Sequence, residues 1–80
     1  MNYNYRLTAT YTDCEREYAT NSLDDVLAEW YGIQQYGPPK RCCLLDGYTG
    51  EVLASYGQGE ETYMTREWYY IFTGYFLLNF

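Results

Sequence analysis

The residues of this chain that could do chemistry are three cysteines, eleven carboxylates and twelve tyrosines, and there is no histidine. Without histidine, neither a Ser-His-Asp nor a Cys-His nucleophile can be assembled within the chain. Cys14 lies two residues before Arg16, a cation that would favour a reactive thiolate, although a plain turn cysteine is the simpler reading. Cys42 and Cys43 are neighbours, and on a strand they point to opposite faces. At least one is therefore expected to act as a small buried hydrophobe. Three cysteines fall short of the four ligands of a structural zinc site, unless a carboxylate or a second chain completes the set. The odd count also argues against a secreted disulfide framework.

Acid–base catalysis by carboxylates needs a pair held in a pocket, one of them kept protonated by burial. Nothing in the spacing here selects such a pair. Glu15 and Glu17 read as solvated strand positions, and Asp24 and Asp25 as the start of a helix. Gly57-Gln58-Gly59 lacks the pattern and the lysine of a phosphate loop. Asp46-x-x-x-Gly50 is a turn without the full ligand set for calcium. The expectation is a non-enzymatic protein with no cofactor and no metal.

Charge is more informative than any motif. Residues 13–29 hold Asp13, Glu15, Glu17, Asp24, Asp25 and Glu29 against Arg16 alone, a local charge of −5. The other 63 residues hold five carboxylates and four cations, a charge of −1, so the net −6 is concentrated in one stretch. Folded together, these residues would make an acidic face that attracts basic partners and repels nucleic acid. A nucleic-acid binder carries a basic stripe, and here only Lys40 and Arg41 are adjacent cations.

The elements that must position these groups can be traced along the chain. Tyr3, Tyr5, Leu7, Ala9 and Tyr11 alternate with polar residues, the period of a strand with one buried face. Thr12-Asp13-Cys14 makes a turn, and residues 15–20 return with Arg16, Tyr18 and Thr20 on one side and Glu15 and Glu17 on the other. Ser22 caps a helix over residues 23–36, with Asp25 as a weak capping-box partner. Its apolar face is Leu23, Val26, Leu27, Trp30 and Ile33. Gly37, Pro38 and Pro39 end it. Residues 41–45 and 51–56 form a second hairpin about the Asp46–Gly50 turn, and residues 57–61 a loop. The C-terminal segment, residues 62–80, reads as helix or strand. A helix over 66–73 capped by Thr65 is favoured, with residues 75–80 extended after Gly74. The fold class is α+β: a small antiparallel sheet of two hairpins packed by one main helix, in the order ββαββα. The 80 residues form a single domain with a folded surface of roughly 5,000 Å².

Aromatics are 21% of the residues, more than the ten or so that a core of this size absorbs by a rough estimate. Several must therefore lie at the surface, where tyrosine favours protein interfaces. Tyr31, Tyr36, Tyr48, Tyr63, Tyr69 and Tyr70 are the candidates. Trp68, Tyr69, Tyr70, Phe72 and Phe76 form a candidate homo-oligomer interface, hiding an all-round apolar segment in a homodimer. No apolar run is long enough to span a bilayer and the N-terminus has no signal-peptide pattern, so a cytoplasmic location is expected, with no membrane partner.

The function expected is that of an acidic protein-binding module. Its contact residues would be Asp13, Glu15, Glu17, Asp24, Asp25, Glu29, Tyr31 and Tyr36, and its target a basic surface on a larger protein. If that surface binds nucleic acid, the module is a DNA mimic. In size and charge alone, with no motif involved, the profile is similar to that of phage or mobile-element inhibitors of bacterial defence such as anti-CRISPR proteins. Two alternatives stand beside it: a homo-oligomeric assembly protein using the aromatic C-terminal segment, and a small-ligand binder with a tyrosine-lined pocket.

Overall fold

The computed structural model describes the backbone of residues 3–36, 39–57, 59 and 61–79, and the side chains of the same set without 36 and 76–79. Seven elements follow in order: β1 (Tyr5–Thr10), β2 (Glu15–Thr20), α1 (Leu23–Tyr36), β3 (Arg41–Asp46), β4 (Val52–Gly57), β5 (Tyr63–Met64) and α2 (Arg66–Asn79). The strands make one antiparallel sheet in the order β2-β1-β3-β4-β5. The two expected hairpins are thus joined edge to edge by β1 and β3, giving an α+β fold with both helices on one face. The accessible surface is 5527 Å².

Alternation decides which residues meet the helices. In register, Leu7 faces Tyr18 and Leu44, Ala9 faces Arg16 and Cys42, and Leu44 faces Ala54. Leu7, Ala9, Cys42, Leu44 and Ala54 are all buried, beneath Val26, Leu27 and Trp30 of α1 and Trp68 and Phe72 of α2. A chain of ring contacts runs through this layer. Tyr5 meets Trp68 at 5.7 Å between centroids, Trp68 meets Phe72 at 5.5 Å, Phe72 meets Trp30 at 5.4 Å and Trp30 meets Tyr56 at 5.3 Å. The first and last of these are edge-to-face, the arrangement favoured by the ring quadrupoles. Strands β1 and β4 and both helices are tied together by these five rings.

The helix starts follow the predicted capping. Ser22 Oγ accepts the Asp25 N–H at 3.2 Å, and Thr65 Oγ1 accepts the Trp68 N–H at 3.3 Å. The Ser22 N–H, which a capping-box carboxylate would have taken, is accepted at 3.0 Å by Thr20 Oγ1 instead. The Asp46–Gly50 turn closes through Asp46 Oδ1, which accepts the Tyr48 and Thr49 N–H groups at 2.8 and 3.0 Å. Those two amides hold the Asp46 carboxyl below its ordinary pKa. Gly47 donates to the Asn4 carbonyl at 2.8 Å, and a Cβ there would lie 1.7 Å from the Tyr3 oxygen, so only glycine fits.

Two expectations at the C-terminal end need correction. Helix α2 does not stop near residue 73 with an extended tail; it continues through Gly74 to Asn79. An interior glycine costs about 1 kcal/mol relative to alanine, and Tyr75, one turn beyond Phe72, packs against the core and holds the helix on. The segment after the 57–61 loop also contributes a short strand that sequence reading did not place. In β5, Met64 pairs with Ala54 and Tyr63 with Ser55. Gly37 and Pro38, expected to end α1, lie outside the described residues. Among the described residues, no helix is long and apolar enough to cross a membrane.

Candidate functional site

β2 is an edge strand, paired with β1 on one side only. The ladder fixes which backbone groups it leaves open. In antiparallel pairing, alternate residue pairs exchange both backbone hydrogen bonds. Tyr11 N–H donates to the Cys14 carbonyl at 2.8 Å, which phases the bonded pairs onto odd-numbered residues of β1. Arg16, Tyr18 and Thr20 therefore spend their N–H and C=O on β1. Glu15, Glu17 and Ala19 turn theirs outward. The side chains of Glu15 and Glu17 stand on the sheet face away from the helices, and those of Arg16, Tyr18 and Thr20 on the helix side.

On the helix side, a crevice of about 220 Å³ separates the β1–β2 hairpin from α1. Leu7, Ala9, Tyr18 and Ile33 supply apolar walls, while Arg16 and Glu29 bring charge to it. Asp25, four residues before Glu29, shares its flank of α1. Asp13, in the hairpin turn, is exposed near the start of β2. The open backbone of β2 is thus bracketed by carboxylates: Glu15 and Glu17 on the sheet layer, Glu29 and Asp25 on the helix layer. All are exposed.

Cations inside this patch are already engaged. Arg6 Nε donates to Glu17 Oε1 at 3.0 Å from the adjacent strand. That contact holds the Glu17 carboxyl below its ordinary pKa, chiefly through the hydrogen bond and then through charge attraction. The Arg16 guanidinium lies 5.8 Å from the Tyr11 ring centroid, a cation–π geometry. Among the described residues, Asp13, Glu15, Asp24, Asp25 and Glu29 make no ion pair.

Not every expected contact residue belongs to this patch. Asp24 is exposed, but it lies about 100° around α1 from Asp25, away from the β2 side. Tyr31 is half-buried on the opposite flank of α1 from Glu29. The side chain of Tyr36 lies outside the described residues. In the candidate oligomer segment, Trp68 and Phe72 are each 4% exposed and belong to the core, because the helical period turns them onto the sheet. Tyr69 and Tyr70 are exposed, with their rings 5.8 Å apart. The side chain of Phe76 is likewise outside the described set. Tyr48 and Tyr63 are exposed as expected.

The cysteines divide as their alternation requires. Cys42 is buried in the helix-side core, and burial, followed by the adjacent Cys43, pushes its thiol up to about 12. Its cross-strand neighbour Tyr56 has a buried hydroxyl with no hydrogen-bond partner among the described residues. Burial, and then Cys42, likewise raises the pKa of that phenol. Both groups stay protonated and inert at neutral pH. Cys43 faces the other side of the sheet, and Cys14 is exposed. Among the described residues, no group of His, Cys, Asp or Glu is arranged to hold a metal.

A second concavity lies across the molecule. An open groove of about 470 Å³ is floored by Trp30, Met64 and Phe72 and rimmed by Tyr31, Gln34, Gln35 and Thr62. Sequence reading missed both concavities, as well as the Tyr11–Arg16 contact. The one available signal was the charge on both faces of Glu15-Arg16-Glu17, which a central strand could not bury.

No known protein family, curated protein or solved structure matches the chain significantly.

Proposed function

We propose that the protein is a non-enzymatic binding module that presents its acidic β2 edge to a basic surface of a larger protein. One observation carries this: the open backbone of β2 is flanked by carboxylates on both layers, and the two nearest arginines are occupied by Glu17 and Tyr11. Such a patch steers cationic partners at long range and repels nucleic acid. Where the partner's basic surface itself binds nucleic acid, occupancy by this module excludes the nucleic acid, and the module acts as a competitive blocker of the DNA-mimic type.

The test separates local from overall charge. E15K/D25K/E29K reverses three carboxylates at the β2 edge, and E51K/E61K/E67K reverses three exposed carboxylates elsewhere. Both variants change net charge equally. Partners captured by the wild-type chain from a host lysate should be lost from the first variant, kept by the second, and released by rising salt. Equal retention by both variants contradicts the proposal.

A second reading is favoured by the 470 Å³ groove, which falls within the size range of small-molecule sites. Its three aromatic residues and two carboxamides, with no charged residue in the lining among the described residues, suit a neutral planar ligand.

A further inference from the structure

We infer that the β2 edge takes its partner by strand addition, accepting an extended segment in which basic residues alternate with apolar ones. This inference rests on the acidic-edge reading above and specifies what that edge binds.

Three features lead to this ligand. First, Glu15, Glu17 and Ala19 turn their N–H and C=O groups outward in one row, and no hydrogen bond to them is made within the described chain. That row is a template for one more strand. Second, the faces of an added strand would meet different chemistry. Residues opposite Glu15 and Glu17 stand on the open sheet face beside two carboxylates, Glu15 without an ion pair among the described residues and Glu17 shared with Arg6, so lysine or arginine belongs at positions two apart, most strongly opposite Glu15. The residue between them falls on the helix side opposite Arg16, whose guanidinium is drawn toward the Tyr11 ring, and diagonal to Tyr18 at the crevice walled by Leu7, Ala9 and Ile33; there a second cation is repelled and an apolar side chain fits.

Third, the same charges reject the commonest competitor. A second copy pairing along its own β2 would bring Glu15 and Glu17 of each chain into one ladder, and like charges there are destabilising. The acidic edge thus blocks self-pairing while leaving the backbone open to a strand of opposite sign.

The probe is an eight-residue peptide of alternating lysine and valine, titrated at low salt. Controls are the same peptide N-methylated at alternate residues, which keeps charge but cannot complete a ladder, and a block peptide with all lysines at one end. On the protein, Ala19→Pro removes one outward N–H and leaves the β1 ladder bonds of Arg16, Tyr18 and Thr20 in place. Circular dichroism verifies that this variant folds. The alternating peptide should bind saturably, and Ala19→Pro should weaken it roughly five- to tenfold. N-methylation should remove saturable binding.

Binding that is equally strong with the N-methylated and block peptides, and indifferent to Ala19→Pro, overturns strand addition. If that binding is still lost in E15K/D25K/E29K, the acidic-edge reading survives without it. No binding of the alternating peptide by the wild-type chain also overturns strand addition, whereas the lysate capture tests the acidic edge independently.

Discussion

At one side of the sheet the edge strand, β2, runs six residues, Glu15–Thr20; at the other, β5 runs two, Tyr63–Met64. Both edges face the same hazard, since unpaired backbone invites another strand. The β5 edge meets it by brevity. After Met64 the chain turns at once into α2, with the Thr65 N–H bonded to the Leu53 carbonyl at 3.0 Å and the Thr65 side chain capping the helix. The β2 edge is long, and charge protects it. Brevity excludes every partner, whereas charge excludes only partners of the same sign. On the proposed reading, an edge protected in this selective way serves as the binding surface, and β2 is the edge with that property.

The largest effect should come from the side that packing secures. Trp68 joins α2 to Tyr5 and Phe72, and Trp68→Ala should cost about 3–5 kcal/mol in chemical denaturation. Tyr70→Ser, on the opposite face of α2 and 62% exposed, should stay within about 0.5 kcal/mol. A mild Trp68→Ala would mean that α2 does not anchor this half of the molecule. Charge reversal at the β2 edge should do the opposite, removing partner binding with little change in stability.

The smallest effect is the acid dependence of Glu17 at the edge and of Asp46 in the β3–β4 turn. Glu17 and Asp46 have folded pKa values below their ordinary 4.5 and 3.8. Each therefore contributes stability that is present above those values and is lost as pH falls through the lower folded ones. Glu17 is exposed and Asp46 only half-buried, so the loss is modest. Acid titration of wild type against Glu17→Gln should show a shallower decline below pH 4.5 in the variant; identical curves would mean that the Arg6–Glu17 contact does not persist in solution.

Much of this fold could be read from residue order, because its strongest signals are local. The period-two run, the Ser22 and Thr65 caps and the Asp46–Gly50 turn each act over a few residues and each appears, although the run forms strand only over Tyr5–Thr10 and leaves Tyr3 exposed. Gly74 misled because a helix breaker is judged by local cost, while Tyr75 is held by contacts with the core. β5 was missed because two residues show no periodicity; only β4 makes them a strand. The acidic stretch was visible as composition. Its division was not, since Asp24 and Asp25 adjoin in sequence yet fall on different sides of α1. Nor does chain order reveal that β1, rather than β2, lies beside β3, and this is the fact that makes β2 an edge.

The central claim is that β2 carries an open row of backbone groups in the folded chain. Amide hydrogen exchange of the isolated protein, resolved by residue, tests it directly. Slow exchange at Arg16, Tyr18 and Thr20 with fast exchange at Glu15, Glu17 and Ala19 is the predicted alternation. Uniform protection along Glu15–Thr20 would mean that the edge is covered, and would contradict the account.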